Sequence, residues 1–164
     1  MSFPFGGKII VLFHTFILIC CVCFANDNLF KQARALQRDG KYEEAIAAFK
    51  GYLSQPILEN VLSDEQMAMY TDALVQLMNA FQSKGESEAC ITTLKEVFKA
   101  SPVLQKNCLR DYYSVMGYAL SRTENMKEAE ETMLKAFTIP LHQATPERYF
   151  RDYAYAAAVF YSNP

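Results

Sequence analysis

Few residues in this chain could carry a reaction. There are two histidines, His14 inside an apolar run and His142 in a loop-like stretch between Pro140 and Pro146. Three of the five cysteines form Cys20-Cys21-Val22-Cys23 within an apolar leader, so they do not read as a metal cluster. Neither Cys90 nor Cys108 has a CxxC partner, which leaves zinc and dithiol redox chemistry without support. Cys90 reads as a small buried hydrophobe at a helix crossing, and Cys108 as a partly exposed thiol. Glu128, Glu130 and Glu131 alternate with other residue types on a solvated helix face and lack the convergent pairing that acid–base work needs. No serine sits in a G-x-S-x-G elbow, and the sequence has no Gly-rich phosphate loop and no H-E-x-x-H. The expectation is a non-enzyme with no catalytic residues, no metal and no cofactor.

Composition points the same way. The chain is 164 residues long, 51% hydrophobic and 21% charged, with a formal charge of -2. That is a globular composition, and no long run of one sign offers a surface to nucleic acid or anionic lipid. Residues 1–25 stand apart. Lys8 and the amino terminus precede an almost wholly apolar run from Ile9 to Phe24, and Cys23-Phe24-Ala25 places small residues at the −3 and −1 positions of a cut before Asn26. This is the layout of a secretory signal peptide, with a mature chain beginning at Asn26. The alternative is an uncleaved anchor facing the periplasm, but the run falls short of the roughly 20 residues of a spanning helix.

Helical periodicity runs through residues 26–164, without a convincing strand pattern. It predicts helices at 28–38, 42–54, 64–83, 87–100, 107–121, 126–138 and 147–161. Ser63-Asp64-Glu65-Gln66 fits a capping box, and Thr145-Pro146 places a cap residue before a proline at the first helical position. Gly40 and Gly85 fall in tight turns, and Pro56, Pro102 and Pro140 where helices should end.

A signature recurs along these helices. It reads Leu74, Leu77, Met78, Phe81, Gly85, Cys90, Leu94, Val97 and Pro102. It returns at Tyr113, Met116, Gly117, Leu120, Ala129, Met133, Ala136 and Pro140. A looser copy precedes them at Leu29, Ala33, Leu36, Gly40, Tyr42, Ala45, Phe49 and Pro56. In each copy a large residue stands nine positions before a small one: Leu36 to Ala45, Phe81 to Cys90 and Leu120 to Ala129. The pattern resembles the tetratricopeptide repeat, W-x2-L-G-x2-Y, then A-x3-F, then P. The copies (Leu29, Leu74, Tyr113, Tyr153) lie 45, 39 and 40 residues apart, against about 34 in the standard repeat. The surplus sits at the joints, Ile57–Ser63, Val103–Lys106 and Leu141–Thr145. The resemblance implies an all-α, right-handed solenoid of antiparallel helix pairs, three repeats plus the first helix of a fourth, over residues 26–164.

The same resemblance implies a protein-interaction scaffold whose first helices line a groove for a peptide or partner protein. Carried over by position, the groove residues are Phe30, Arg34, Gln37 and Arg38, then Val75, Gln76, Asn79, Gln82 and Ser83, then Ser114, Tyr118, Ser121 and Arg122. A carboxylate-clamping repeat domain needs Lys and Asn on the first helix, Asn on the second repeat's first helix and Lys and Arg on the third's, at positions that here hold Phe30, Arg34, Gln76, Asp111 and Val115. An acid and a valine replace the last two, which argues against that clamp. A leader followed by such an array resembles exported bacterial repeat proteins, periplasmic or secreted. In some of these the array is the sensor part of a transmembrane histidine kinase or transcriptional regulator, which is the alternative function. Helix 147–161 is apolar nearly all round, so the array reads as truncated after it. Self-association through that helix is expected.

Overall fold

The computed structural model describes residues 28–55, 63–140 and 146–161. The leader, the first long joint and the segment holding His142 lie outside the described residues, as does the expected stop at Pro56. All regular structure among the described residues is helical. It comprises α1 (28–38), α2 (Tyr42–Leu53), α3 (Asp64–Lys84), α4 (Ser87–Ala100), α5 (Pro102–Lys106), α6 (Leu109–Leu120), α7 (Met126–Thr138) and α8 (Pro146–Tyr161).

Local chemistry sets the boundaries. At the start of α3 the Gln66 N–H donates to Ser63 Oγ at 3.2 Å, and the Ser63 N–H donates to Gln66 Oε1 at 2.8 Å, closing the expected capping box. Gly40 and Gly85 end α1 and α3 with φ of 73°, the left-handed conformation that glycine reaches without a Cβ penalty. Nothing lies within 4 Å of a Cβ built at either position, so backbone conformation and not space calls for glycine there.

The α5 helix corrects the sequence reading. Residues 103–106 were expected to be an irregular joint and the next helix to begin at 107. Instead Ser101 Oγ accepts from the Leu104 N–H at 3.4 Å, Pro102 takes the first helical position, and a short helix forms. Ser101-Pro102 is the same cap-then-proline signal as Thr145-Pro146, so it starts a helix as well as following one. Val103 and Leu104 are buried, and Gln105 Nε2 donates to Phe98 O at 2.9 Å, which ties the joint back to α4.

Consecutive helices pair as α1 with α2, α3 with α4 and α6 with α7; α2 packs closely on α3 as well, and α8 on both α6 and α7. Ion pairs show how one pair follows the next. First helices are bridged by Arg34–Asp72 at 2.7 Å (α1 to α3) and Arg110–Asp152 at 3.1 Å (α6 to α8). Second helices are bridged by Lys50–Glu96 at 2.6 Å (α2 to α4) and Lys95–Glu128 at 3.7 Å (α4 to α7). Like therefore stacks on like, the arrangement of a helical-repeat array. The exposed pairs report this topology but add little stability, since solvent screens them.

One core runs through the stack. Ala45, Cys90 and Ala129, the small residues of the three copies, are all buried, and Ala129 lies where α6 and α7 cross. Phe49, Leu94 and Met133, one turn further on, are also fully buried. The tightest crossing is between α6 and α7. There a Cβ on Gly117 would come within 3.1 Å of Met133 N and 3.2 Å of Ala129 O, both backbone atoms.

Candidate interaction face

The residues expected to line a groove fall into three groups. In the first, Arg34 and Gln76 are joined through Asp72, a residue outside the expected set, and Gln37 is joined to Gln76. Asp72 accepts from Arg34 Nη1 at 2.7 Å and from Gln76 Nε2 at 3.0 Å, and Gln37 Nε2 donates to the Gln76 carbonyl at 3.4 Å. These groups are engaged with one another across α1 and α3, so a ligand would have to displace existing bonds to use them.

The second group lies at the far end of α6. Tyr118 and Tyr155 stack with ring centroids 4.3 Å apart and planes 11° from parallel. The guanidinium carbon of Arg122 sits 5.7 Å from the Tyr118 ring centre. Ser121 Oγ donates to the Tyr118 carbonyl at 2.8 Å. Both tyrosines are half-buried, and burial pushes the Tyr155 phenol up to about 12. A stacked pair with a cation on its flank offers π surface and one positive charge to a ligand. Arg122 is exposed and also lines a surface cleft of about 700 Å³ between the turns Gly85–Ala89 and Arg122–Asn125.

The third group is Arg38, Asn79 and Gln82, near the C-terminal ends of α1 and α3. Arg38 is exposed, and Asn79 and Gln82 are half-buried. Gln82 Nε2 is buried and has no hydrogen-bond partner among the described residues. Ser83 beside it donates its hydroxyl to the Asn79 carbonyl at 3.0 Å.

Two expected groove residues are not on a surface. Phe30 is buried among Phe49 and Tyr52, with ring centroids 6.2 and 5.4 Å away. Ser114 is fully buried, and its hydroxyl donates to Asp152 Oδ1 at 3.0 Å. Phe49 and Tyr52 on α2 close over the first, and Asp152 on α8 closes over the second.

Ser114 belongs to a buried ionic cluster that sequence reasoning missed. Asp152 on α8 accepts from Arg110 Nε at 3.1 Å, from Ser114 Oγ at 3.0 Å and from Arg151 Nη2 at 2.9 Å. Arg151 Nη2 also donates to Asp111 Oδ1 at 2.6 Å, and Arg110 Nη1 to the Ile139 carbonyl at 2.8 Å. Burial works against the Arg151 charge, but Asp111 and Asp152 outweigh it and hold the guanidinium above its ordinary value. Asp111 and Val115, which occupy clamp positions, are thus buried: one ties down α8 and the other is core. The signal for this cluster is two adjacent charge pairs, Arg110-Asp111 and Arg151-Asp152, the second followed by nine residues without a charge.

Both described cysteines are buried thiols. Cys108 is 1% exposed, which corrects the expectation of a partly exposed thiol; α5 and the start of α6 place it inside. Burial pushes the Cys90 thiol up to about 12. At pH 8 that leaves on the order of a thousandfold less thiolate than at the ordinary value, and the thiolate is the nucleophile. Maleimide labelling mapped by mass spectrometry should therefore leave Cys90 and Cys108 unmodified in the native protein and modify both in urea. Rapid native labelling of Cys90 would show that the α3–α4 crossing opens.

Among the described residues, no group of three or more His, Cys, Asp or Glu side chains could hold a metal ion. No described helix is long and apolar enough to cross a membrane. No curated protein and no solved structure matches the chain. Residues 111–141, which span most of α6 and all of α7, match the family model of the tetratricopeptide repeat, so the best-formed helix pair of this array is one such repeat, a unit that generally mediates protein–protein contact.

Proposed function

We propose that this chain is a non-catalytic scaffold that binds an extended peptide, or an extended segment of a partner protein, along the face shared by α1, α3, α6 and α8. One observation carries the reading. Successive first helices bring polar and aromatic side chains to one face: exposed Arg38 on α1, half-buried Asn79 and Gln82 on α3, and the Tyr118–Arg122–Tyr155 cluster from α6 to α8. Amide side chains suit the alternating donors and acceptors of an extended backbone, and aromatic–arginine clusters are where binding energy concentrates. The repeat assignment over residues 111–141 supports the same use.

The test begins with a photoreactive amino acid at Asn79 or Tyr118 in the native host, followed by synthesis of the peptide it captures. Gln82→Ala and Arg122→Ala should each weaken binding of that peptide roughly 3–10-fold, corresponding to about 1 kcal/mol. Leu134→Ala, on the exposed side of α7, should leave it unchanged. Crosslinks that form only from α7 positions would refute the assignment of the face. The proposal includes export, carried by Lys8, the Ile9–Phe24 run and the Cys23-Phe24-Ala25 site. Protein from the same host should begin at Asn26, whereas an intact leader in the membrane fraction would mean an anchored chain.

A further inference from the structure

The outward face of α8 is the largest exposed apolar feature among the described residues. Phe150 is 77% exposed, Tyr153 65%, Phe160 38% and Tyr161 88%. Ala154 and Ala157 between them are exposed too. At 100° per residue these six positions fall within about 120° of one another. Asp152, Ala156 and Val159, which are buried, fall on the opposite side. The stripe is therefore a face distinct from the one that docks on α6. The Tyr118–Tyr155 contact belongs to the docked side.

We propose that this face is an interface between two copies of the chain, formed by antiparallel packing of α8 against its equivalent. Three features favour a second copy as the occupant. The first is sequence symmetry. Phe150, Ala154, Ala157 and Tyr161 follow 4-3-4 spacing, the seam of a coiled coil, and the order large-small-small-large reads the same in both directions. A two-fold axis crossing between residues 155 and 156 sets Phe150 against Tyr161 of the second copy and Ala154 against its Ala157. Each contact then occurs twice, as an isologous interface requires. The alanine pairs at the centre let the axes approach to about 8 Å, the short end of helix packing.

The second feature is charge. Between Phe150 and Tyr161 the stripe carries none, and the two charges in that span, Arg151 and Asp152, are engaged inside the subunit. Homotypic contact therefore meets no like-charge repulsion along the seam. The third is area. At about 200 Å² per aromatic side chain, the four exposed rings present roughly 500 Å² per copy, so a dimer would bury about 1,000 Å². That lies just below the range of standard stable interfaces, which fits a reversible dimer and not an obligate one.

Sedimentation velocity of the protein purified from its host, over about 1–500 µM, tests this. The expected result is a monomer–dimer equilibrium. Ala157→Glu sets two carboxylates against the facing alanines and should weaken it at least tenfold, and Phe150→Ser should weaken it independently. Both positions are exposed, so helicity by circular dichroism should not change. A Phe150→Cys, Tyr161→Cys double variant should form an intermolecular 150–161 disulfide under oxidation. A chain monomeric at 500 µM overturns the proposal, as does association indifferent to both single variants. Disulfides joining 150 to 150 would overturn the antiparallel arrangement.

Discussion

Replacing Asp152 with alanine is expected to release α8 from the array while leaving the rest folded. Asp152 is 2% exposed and accepts from Arg110, Ser114 and Arg151. Taking away its carboxylate leaves two arginines, 14% and 15% exposed at the side chain, short of their counter-charge inside the protein. Breaking a buried ion pair by deleting one partner costs about 3–5 kcal/mol, because the remaining charges stay desolvated. Arg151 retains Asp111 at 2.6 Å, which keeps the expected cost toward the lower end. In a repeat array each unit contacts its neighbours only, so the loss need not spread. The chain can answer by undocking α8, which returns Arg110 and Arg151 to water. Hydrogen exchange should show residues 146–161 losing protection while α3 and α6 keep theirs. Asp152→Asn should fall between, since an amide oxygen can still accept from Ser114 but carries no charge. A double replacement, Asp152→Leu with Arg110→Met, should recover part of the loss, because the apolar pair removes the desolvation cost of Arg110, while Arg151 keeps Asp111 and Ser114 loses its acceptor. Global unfolding of Asp152→Ala in a single step would mean that the array folds as one cooperative unit.

The helices could be read from sequence because their period, caps and turn glycines agree with one another. The Ser63–Gln66 box and Gly85 fix both ends of α3 by local bonds alone. The joint at α5 was misread because Pro102 carries two messages: it stops the helix before it and, with Ser101 as cap, starts the next. The face itself was readable only in part. Arg34 and Gln76 lie where the resemblance puts them, but Asp72 already occupies both: the Gln76 bond is an i,i+4 contact within α3, whereas the Arg34 bond spans 38 residues and no local pattern encodes it. Phe30 and Ser114 failed for a related reason. A first-helix position is open only where no other helix reaches it, and reach is a property of packing. The same holds for Arg110 and Arg151. As isolated charges they resemble any solvated pair, and only the approach of α8 to α6 makes them interior.

Gly117 offers the second large effect, and here the sequence pattern and the packing give the same answer. It sits in the middle of α6, where glycine normally costs about 1 kcal/mol relative to alanine, so on helix propensity alone Gly117→Ala should stabilise. The crossing with α7 opposes that. A Cβ would meet Met133 N at 3.1 Å, Ala129 O at 3.2 Å and Met133 Cα at 3.3 Å, all tighter than ordinary contact. The atoms in the way belong to helix backbone and cannot rotate aside as a side chain could, so α7 itself must move. Ala129 and Met133 are fully buried, and a shift of α7 disturbs every contact they make. Overpacking of this kind typically costs about 1–3 kcal/mol, which offsets or exceeds the propensity gain. Gly117→Ala should therefore be net destabilising by about 1 kcal/mol. Gly117→Val adds two methyl groups and a stiff χ1 within the same gap, and should cost about 3 kcal/mol or more. Urea denaturation followed by circular dichroism separates the two. If Gly117→Ala raises the midpoint, the α6–α7 crossing has room to spare, and the small residues at 117 and 129 are not what brings these helices together. If Ala lowers it modestly and Val abolishes the transition, the close crossing is what the recurrent large-to-small spacing, Leu120 to Ala129, encodes in this pair.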